Sequence, residues 1–75
     1  MSRYVIKNRI RRLRFDNDEM TQKDLANKAD VSRQTIVAVE KGNYSPSLEL
    51  AFKIAKVFGC SLEDVFSYED EDETD

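Results

Sequence analysis

The chain is expected to be an all-α domain, and three features of its sequence carry that expectation. Apolar residues recur at spacings of three and four along most of its length. The segments with that period start at Ser, Thr or Asn, and two of them stop at Gly, which is the chemistry of helix starts and ends. Only two Gly and one Pro interrupt 75 residues that are 40% hydrophobic, too few breakers for a β-sandwich or a disordered chain. A chain of this length makes one domain with a modest core, so a second copy would help to stabilise it.

The elements follow in order. Asn8 is placed as the N-cap of a first helix over about residues 8–16, with Ile6, Ile10 and Leu13 on its apolar side. Thr21, with Asp24 three residues on, opens a second helix near a capping box, and Leu25, Ala26 and Ala29 form its buried stripe until it stops near Asp30. Ser32 caps a third helix, in which Val31, Ile36 and Val39 face inward and Gly42 ends the last turn. Two helices joined so tightly must cross steeply, and small Ala26 and Ala29 permit the close approach.

Asn43 to Pro46 is expected as a loop. Ser47 then caps a fourth helix with Leu48, Ala51, Ile54, Ala55 and Phe58 at helical spacing before Gly59. Ser61 with Asp64 starts a short fifth helix carrying Leu62, Val65 and Phe66. The flanks, Tyr4 to Ile6 and Phe66 to Tyr68, are rich in β-formers and are candidates for a small strand pair.

Charge is unevenly distributed. The net charge is −3, but residues 69–75 hold six of the 15 acids and no base, which leaves 12 bases against 9 acids on residues 1–68. Residues 1–68 are therefore expected to be the folded, mildly basic domain, and 69–75 a disordered acidic tail. The tail either solubilises the protein or competes with phosphates for the basic face; both remain open. Six bases (Arg3, Lys7, Arg9, Arg11, Arg12, Arg14) fall in the first 14 residues, against the dipole of the first helix, and phosphate attraction competes with a solvated surface as the explanation.

Catalysis lacks its parts. There is no His, one Cys, and no HExxH, GxSxG, P-loop or GxGxxG pattern, so an enzyme is not expected, and neither is a cofactor or a metal. No apolar run approaches the roughly 20 residues that span a bilayer, and the N-terminus lacks a secretory pattern, so the expected location is the cytoplasm with no membrane partner. Cys60 has no second Cys to pair with inside the chain and is taken as a small buried apolar residue, the alternative being a redox or intermolecular role.

The third helix is the informative one. At about 100° per residue, with Ile36 facing the core, Gln34, Val37, Ala38 and Lys41 fall on the opposite side and Arg33 at its edge. An outward face of Arg, Gln and small apolar groups suits a major groove, where Arg pairs with guanine, Gln with adenine, and Val37 or Ala38 lies against a thymine methyl.

The stretches Thr21-Gln22-Lys23-Asp24-Leu25-Ala26, Val31-Ser32-Arg33-Gln34-Thr35-Ile36, Glu40-Lys41-Gly42 and Pro46-Ser47-Leu48 closely resemble the Cro/C1-type (XRE) helix-turn-helix family over about residues 8–66. The resemblance implies a five-helix, lambda-repressor-like DNA-binding domain with its helix-turn-helix at about 21–41. The short chain is most similar to the cytolysin-repressor kind, and that likeness implies a dimer with a small sheet beside the helices. Carried over by residue, the resemblance assigns Ser32, Arg33 and Gln34 to base reading, with Val37 and Ala38 as methyl contacts. It assigns Gln22, Asn43, Tyr44 and Ser45 to DNA phosphates, and outward-facing Lys41 is expected to join them. Arg14 and Glu40 match an ion pair that ties the first helix to the end of the third. Two departures stand out: Ala38 occupies a position where some relatives place a long polar reader, and Phe15 to Met20 is about one residue longer than usual.

The expected function is that of a transcription regulator, a repressor that binds a two-fold double-stranded DNA operator as a homodimer. The alternative is an antitoxin or protein-interaction module. Leu50, Phe52, Val57 and Tyr68 are the candidates for a partner surface or for the seam between copies.

Overall fold

The structure is a computed structural model that describes residues 4–70. Strand β1 (Tyr4–Asn8) leads into helices α1 (Ile10–Asp16), α2 (Gln22–Ala29), α3 (Arg33–Lys41), α4 (Leu48–Phe58) and α5 (Leu62–Val65), and strand β2 (Phe66–Asp70) closes the order. The domain is mostly helical with five helices, and the β-rich flanks do pair. They run antiparallel, with Tyr4 opposite Asp70, Ile6 opposite Tyr68 and Asn8 opposite Phe66. Tyr4 and Tyr68, diagonal neighbours on one face, stack at a centroid distance of 5.1 Å. Because β2 reaches Asp70, Glu69 and Asp70 belong to a strand rather than to the expected tail. Residues 71–75, the remainder of that tail, lie outside the described residues, as does Arg3.

Four helices start where their hydroxyl residues place them. Thr21, Ser32, Ser47 and Ser61 each accept a hydrogen bond from the backbone N–H three residues on, and Asp24 and Asp64 reach back to complete capping boxes. Each such cap is worth about 1 kcal/mol. Gly42 and Gly59 close α3 and α4 in the left-handed region, at φ 84° and 68°.

The first helix departs from expectation. It begins at Ile10 instead of Asn8, because Asn8 is still in β1 and opposite Phe66. Its side chain nonetheless serves the helix start, since Asn8 Oδ1 accepts the Ile10 N–H at 3.1 Å. The helix ends at Asp16, and the longer connection to α2 turns through two successive left-handed residues, Asp18 (φ 61°) and Glu19 (φ 56°).

Every helix gives the core a residue with no exposure: Ile10, Leu25, Ile36, Ile54 and Val65. Burying a side chain of that size contributes about 1.5–3 kcal/mol. The stripe of α4 is rotated from the expected one. Leu50 is buried and Val57 packs partly against the core, so neither offers a docking surface, whereas Leu48 is 67% exposed. At about 100° per residue Leu50 lies some 40° from Ile54 and Leu48 some 120°, which accounts for the exchange. Phe52 and Tyr68 are exposed.

Candidate nucleic-acid interface

The interface is built on α2, a tight turn and α3. Asp30 adopts the left-handed conformation after α2, and the Val31 N–H donates back to Ala26 O at 3.0 Å, which reverses the chain within Asp30, Val31 and Ser32. Ala26 and Ala29 are buried beneath the turn, where larger side chains would hold the helices apart.

The anchoring of α3 fixes which residues it shows. Ile36 and Val39 are buried, so Ser32, Arg33 and Gln34 at its start are left exposed. Val37 and Ala38 are half-buried on the same outer side, which leaves part of each apolar surface open to a groove. Ser32 caps the helix through Oγ to the Thr35 N–H, and its hydroxyl also meets that of Thr35 at 2.9 Å. Arg33 reaches across to α2, its Nη2 donating to Gln22 Oε1 at 3.4 Å.

Gln22 is the first residue of α2, half-buried, where first-turn N–H groups and the positive end of the helix dipole favour an anion. Lys41, Asn43, Tyr44 and Ser45 are all exposed, from the last residue of α3 into the following loop. The two sets flank the start of α3 in sequence and lie on separate elements.

Behind the exposed face, Arg14 of α1 meets Glu40 of α3. Arg14 Nε donates to Glu40 Oε1 at 3.1 Å and Nη2 to Oε2 at 2.8 Å, with side chains only 17% and 13% exposed. A third donor, Nη1, binds the Met20 carbonyl at 2.9 Å just before α2. The one guanidinium thus ties α1, the entry to α2 and the end of α3 together.

Asn8 was legible only in part. Besides serving α1, its Nδ2 donates to Val39 O at 3.1 Å and Glu40 O at 3.3 Å, carbonyls in the last turn of α3. The last carbonyls of a helix lack i+4 partners; Val39 O also takes the Gly42 N–H at 3.0 Å, so Glu40 O is the carbonyl that depends most on Asn8. A strand residue therefore caps α3 from 31 positions away. Its polarity at the end of an apolar strand was a signal, but nothing local named the second partner.

Cys60 is half-buried against the core, and burial followed by the nearby charge of Asp64 raises its thiol pKa. That makes it a poor nucleophile near neutral pH. Among the described residues no helix is long and apolar enough to cross a membrane.

An exposed turn-linked helix with its polar start outward, beside the anion-favouring N-terminus of α2, is the geometry of a DNA-binding regulator. A family model described as helix-turn-helix matches residues 10–65. The chain belongs to the Cro/C1-type helix-turn-helix family of transcriptional regulators, a family of DNA-binding proteins and not of enzymes. It is 66% identical over 53 residues to an HTH-type transcriptional regulator of Methanocaldococcus jannaschii, covering 71% of this chain and 80% of that one. It is 46% identical over 66 residues to the HTH-type transcriptional regulator YgzD of Bacillus subtilis, covering 88% and 98%. A phage repressor is also similar: the CTXphi transcriptional repressor RstR of Vibrio cholerae is 36% identical over 63 residues, covering 84% of this chain and 56% of RstR.

Proposed function

We propose that the protein is a repressor that binds a two-fold double-stranded DNA operator as a homodimer, with α3 in the major groove of each half-site. The observation that carries this reading is the exposure of Ser32, Arg33 and Gln34 at the start of a helix whose other side is locked by Ile36, Val39 and Glu40. Arg33 and Gln34 read base edges, Ser32 approaches them, and Val37 and Ala38 lie against methyl groups. Gln22, Lys41, Asn43, Tyr44 and Ser45 hold phosphates and set the register. The 3.4 Å contact from Gln22 to Arg33 supports a joint placement of anchor and reader.

The homodimer is supported by an exposed apolar groove between the strand pair, α4 and α5. Ile6, Leu48 and Tyr68 are 45%, 67% and 70% exposed there, beside Pro46, Leu62 and Phe66. A second copy seated on that groove makes the dimer, and a two-fold operator read by such a dimer has its half-sites about one helical turn of DNA apart, roughly 34–36 Å. The sign of regulation leans on the likeness to a named repressor. The cytoplasm is the compartment this reading requires.

Selection of bound sites from random duplexes tests it. An enriched inverted repeat with half-site centres about 10 base pairs apart is expected. A lone half-site would overturn the homodimer, and no enrichment would favour an antitoxin or protein-interaction module instead.

A further inference from the structure

Two open grooves meet along the outer side of α1. One lies between α1 and the end of α3 and is lined by Arg9, Arg11, Arg12, Phe15 and Lys41 among others. The other lies toward α2 and is lined by Arg11, Gln22, Lys23 and Arg33 among others. Arg11, Gln22 and Glu40 border both, so the surface is continuous from the recognition elements onto α1.

Its charges are unbalanced. Glu40 is taken by Arg14, and Arg12 pairs with Asp16 at 3.4 Å, which leaves Glu19 at the rim as the other lining acid. Against it stand Arg9, Arg11, Lys23, Arg33 and Lys41, and no ion pair among the described residues involves Arg9 or Arg11. The fold gains little from these two arginines. Arg9 sits at the N-cap of α1 and Arg11 in its first turn, which holds no acid, so both stand against the helix dipole.

We infer that this face of α1 is a second phosphate-binding surface, centred on Arg11, along which the backbone of the bound duplex continues past the helix-turn-helix. The inference rests on the DNA-binding reading above and adds a contact that reads no bases. Guanidinium forks match phosphate oxygens in two-point geometry, and the gap between α1 and Lys41 is bordered by cations on both sides.

The test is the salt dependence of affinity for the selected duplex, measured by fluorescence anisotropy for wild type, Arg11→Gln and Lys56→Gln. Lys56 lines neither groove and controls for a simple change of net charge. Each lost phosphate contact makes the slope of log affinity against log salt shallower by about 0.9. Arg11→Gln is expected to lower the slope by about 1.8 on a two-fold site, one contact per protomer, with base preferences unchanged and Lys56→Gln at the wild-type slope. A wild-type slope for Arg11→Gln, or an equal loss in Lys56→Gln, overturns the inference while leaving base reading intact. Absence of salt-dependent duplex binding by the wild type would instead overturn the DNA-binding reading, and this surface with it.

Discussion

Arg14 and Glu40 face each other across the domain as a two-point ion pair, 26 residues apart in sequence and largely shielded from water. Its value lies in direction more than in net attraction. Desolvating two charges offsets much of their mutual energy, but removing one leaves the other buried without a partner.

Glu40→Ala is therefore expected to destabilise the domain by about 2–4 kcal/mol. For a domain of this size that lowers the melting temperature by roughly 10 °C or more. Thermal unfolding followed by circular dichroism checks it, and an unchanged melting temperature would show that the pair is an ordinary surface contact.

Asn8→Ala is expected to cost about 1–3 kcal/mol, because the last-turn carbonyl of Glu40 and the first N–H of α1 lose their partner together. The loss should localise. Hydrogen exchange is expected to quicken at the end of α3 and the start of α1 more than in α4, and uniform acceleration would contradict the dual cap.

Glu19→Gly is expected to raise the melting temperature by a few degrees. A left-handed non-glycine residue costs roughly 1–2 kcal/mol, more than the entropy that glycine loses on folding. Gly42→Ala should do the opposite at φ 84°, losing about 1 kcal/mol, since open space around a new Cβ leaves backbone strain as the sole cause. Equal and opposite shifts to these would refute the strain argument.

Cys60 is expected to react slowly with iodoacetamide in the folded protein, faster once unfolded in urea. The folded thiol titrates above its ordinary value of 9.0, so it stays protonated at pH 8. A raised folded pKa means that its contribution to stability is present below the unfolded pKa and is lost as pH rises through the folded one. Alkylation of the folded protein at the unfolded rate would contradict this environment.

What the residues made legible, and what they did not, follows from range. Thr21, Ser32, Ser47 and Ser61 mark helix starts because each acts on an N–H three residues away. Ile36 and Val39 are found by period, as are Leu25 and Ile54. Asn8 was misplaced as a formal cap because strand pairing with Phe66, 58 residues distant, holds it in β1. The same distant pairing draws Glu69 and Asp70 into β2. Leu48 and Leu50 exchanged places because both fit an apolar stripe, and the packing of α4 on the shared core covers Leu50 and leaves Leu48 outside. In the candidate interface, helix geometry made the outward set of α3 legible, whereas the contact of Arg33 with Gln22 joins two helices and left no local trace.

In the proposed function the start of α3 reads bases while its surroundings only hold the backbone. The direct measurement is the base-by-base affinity profile of Arg33→Ala and Gln34→Ala on the selected operator, beside Tyr44→Ala. Each reader variant is expected to relax preference at one or two positions per half-site by about 1–3 kcal/mol, with Tyr44→Ala weakening all sequences alike. Uniform weakening by Arg33→Ala and Gln34→Ala, with every base preference kept, would show that the start of α3 does not read bases.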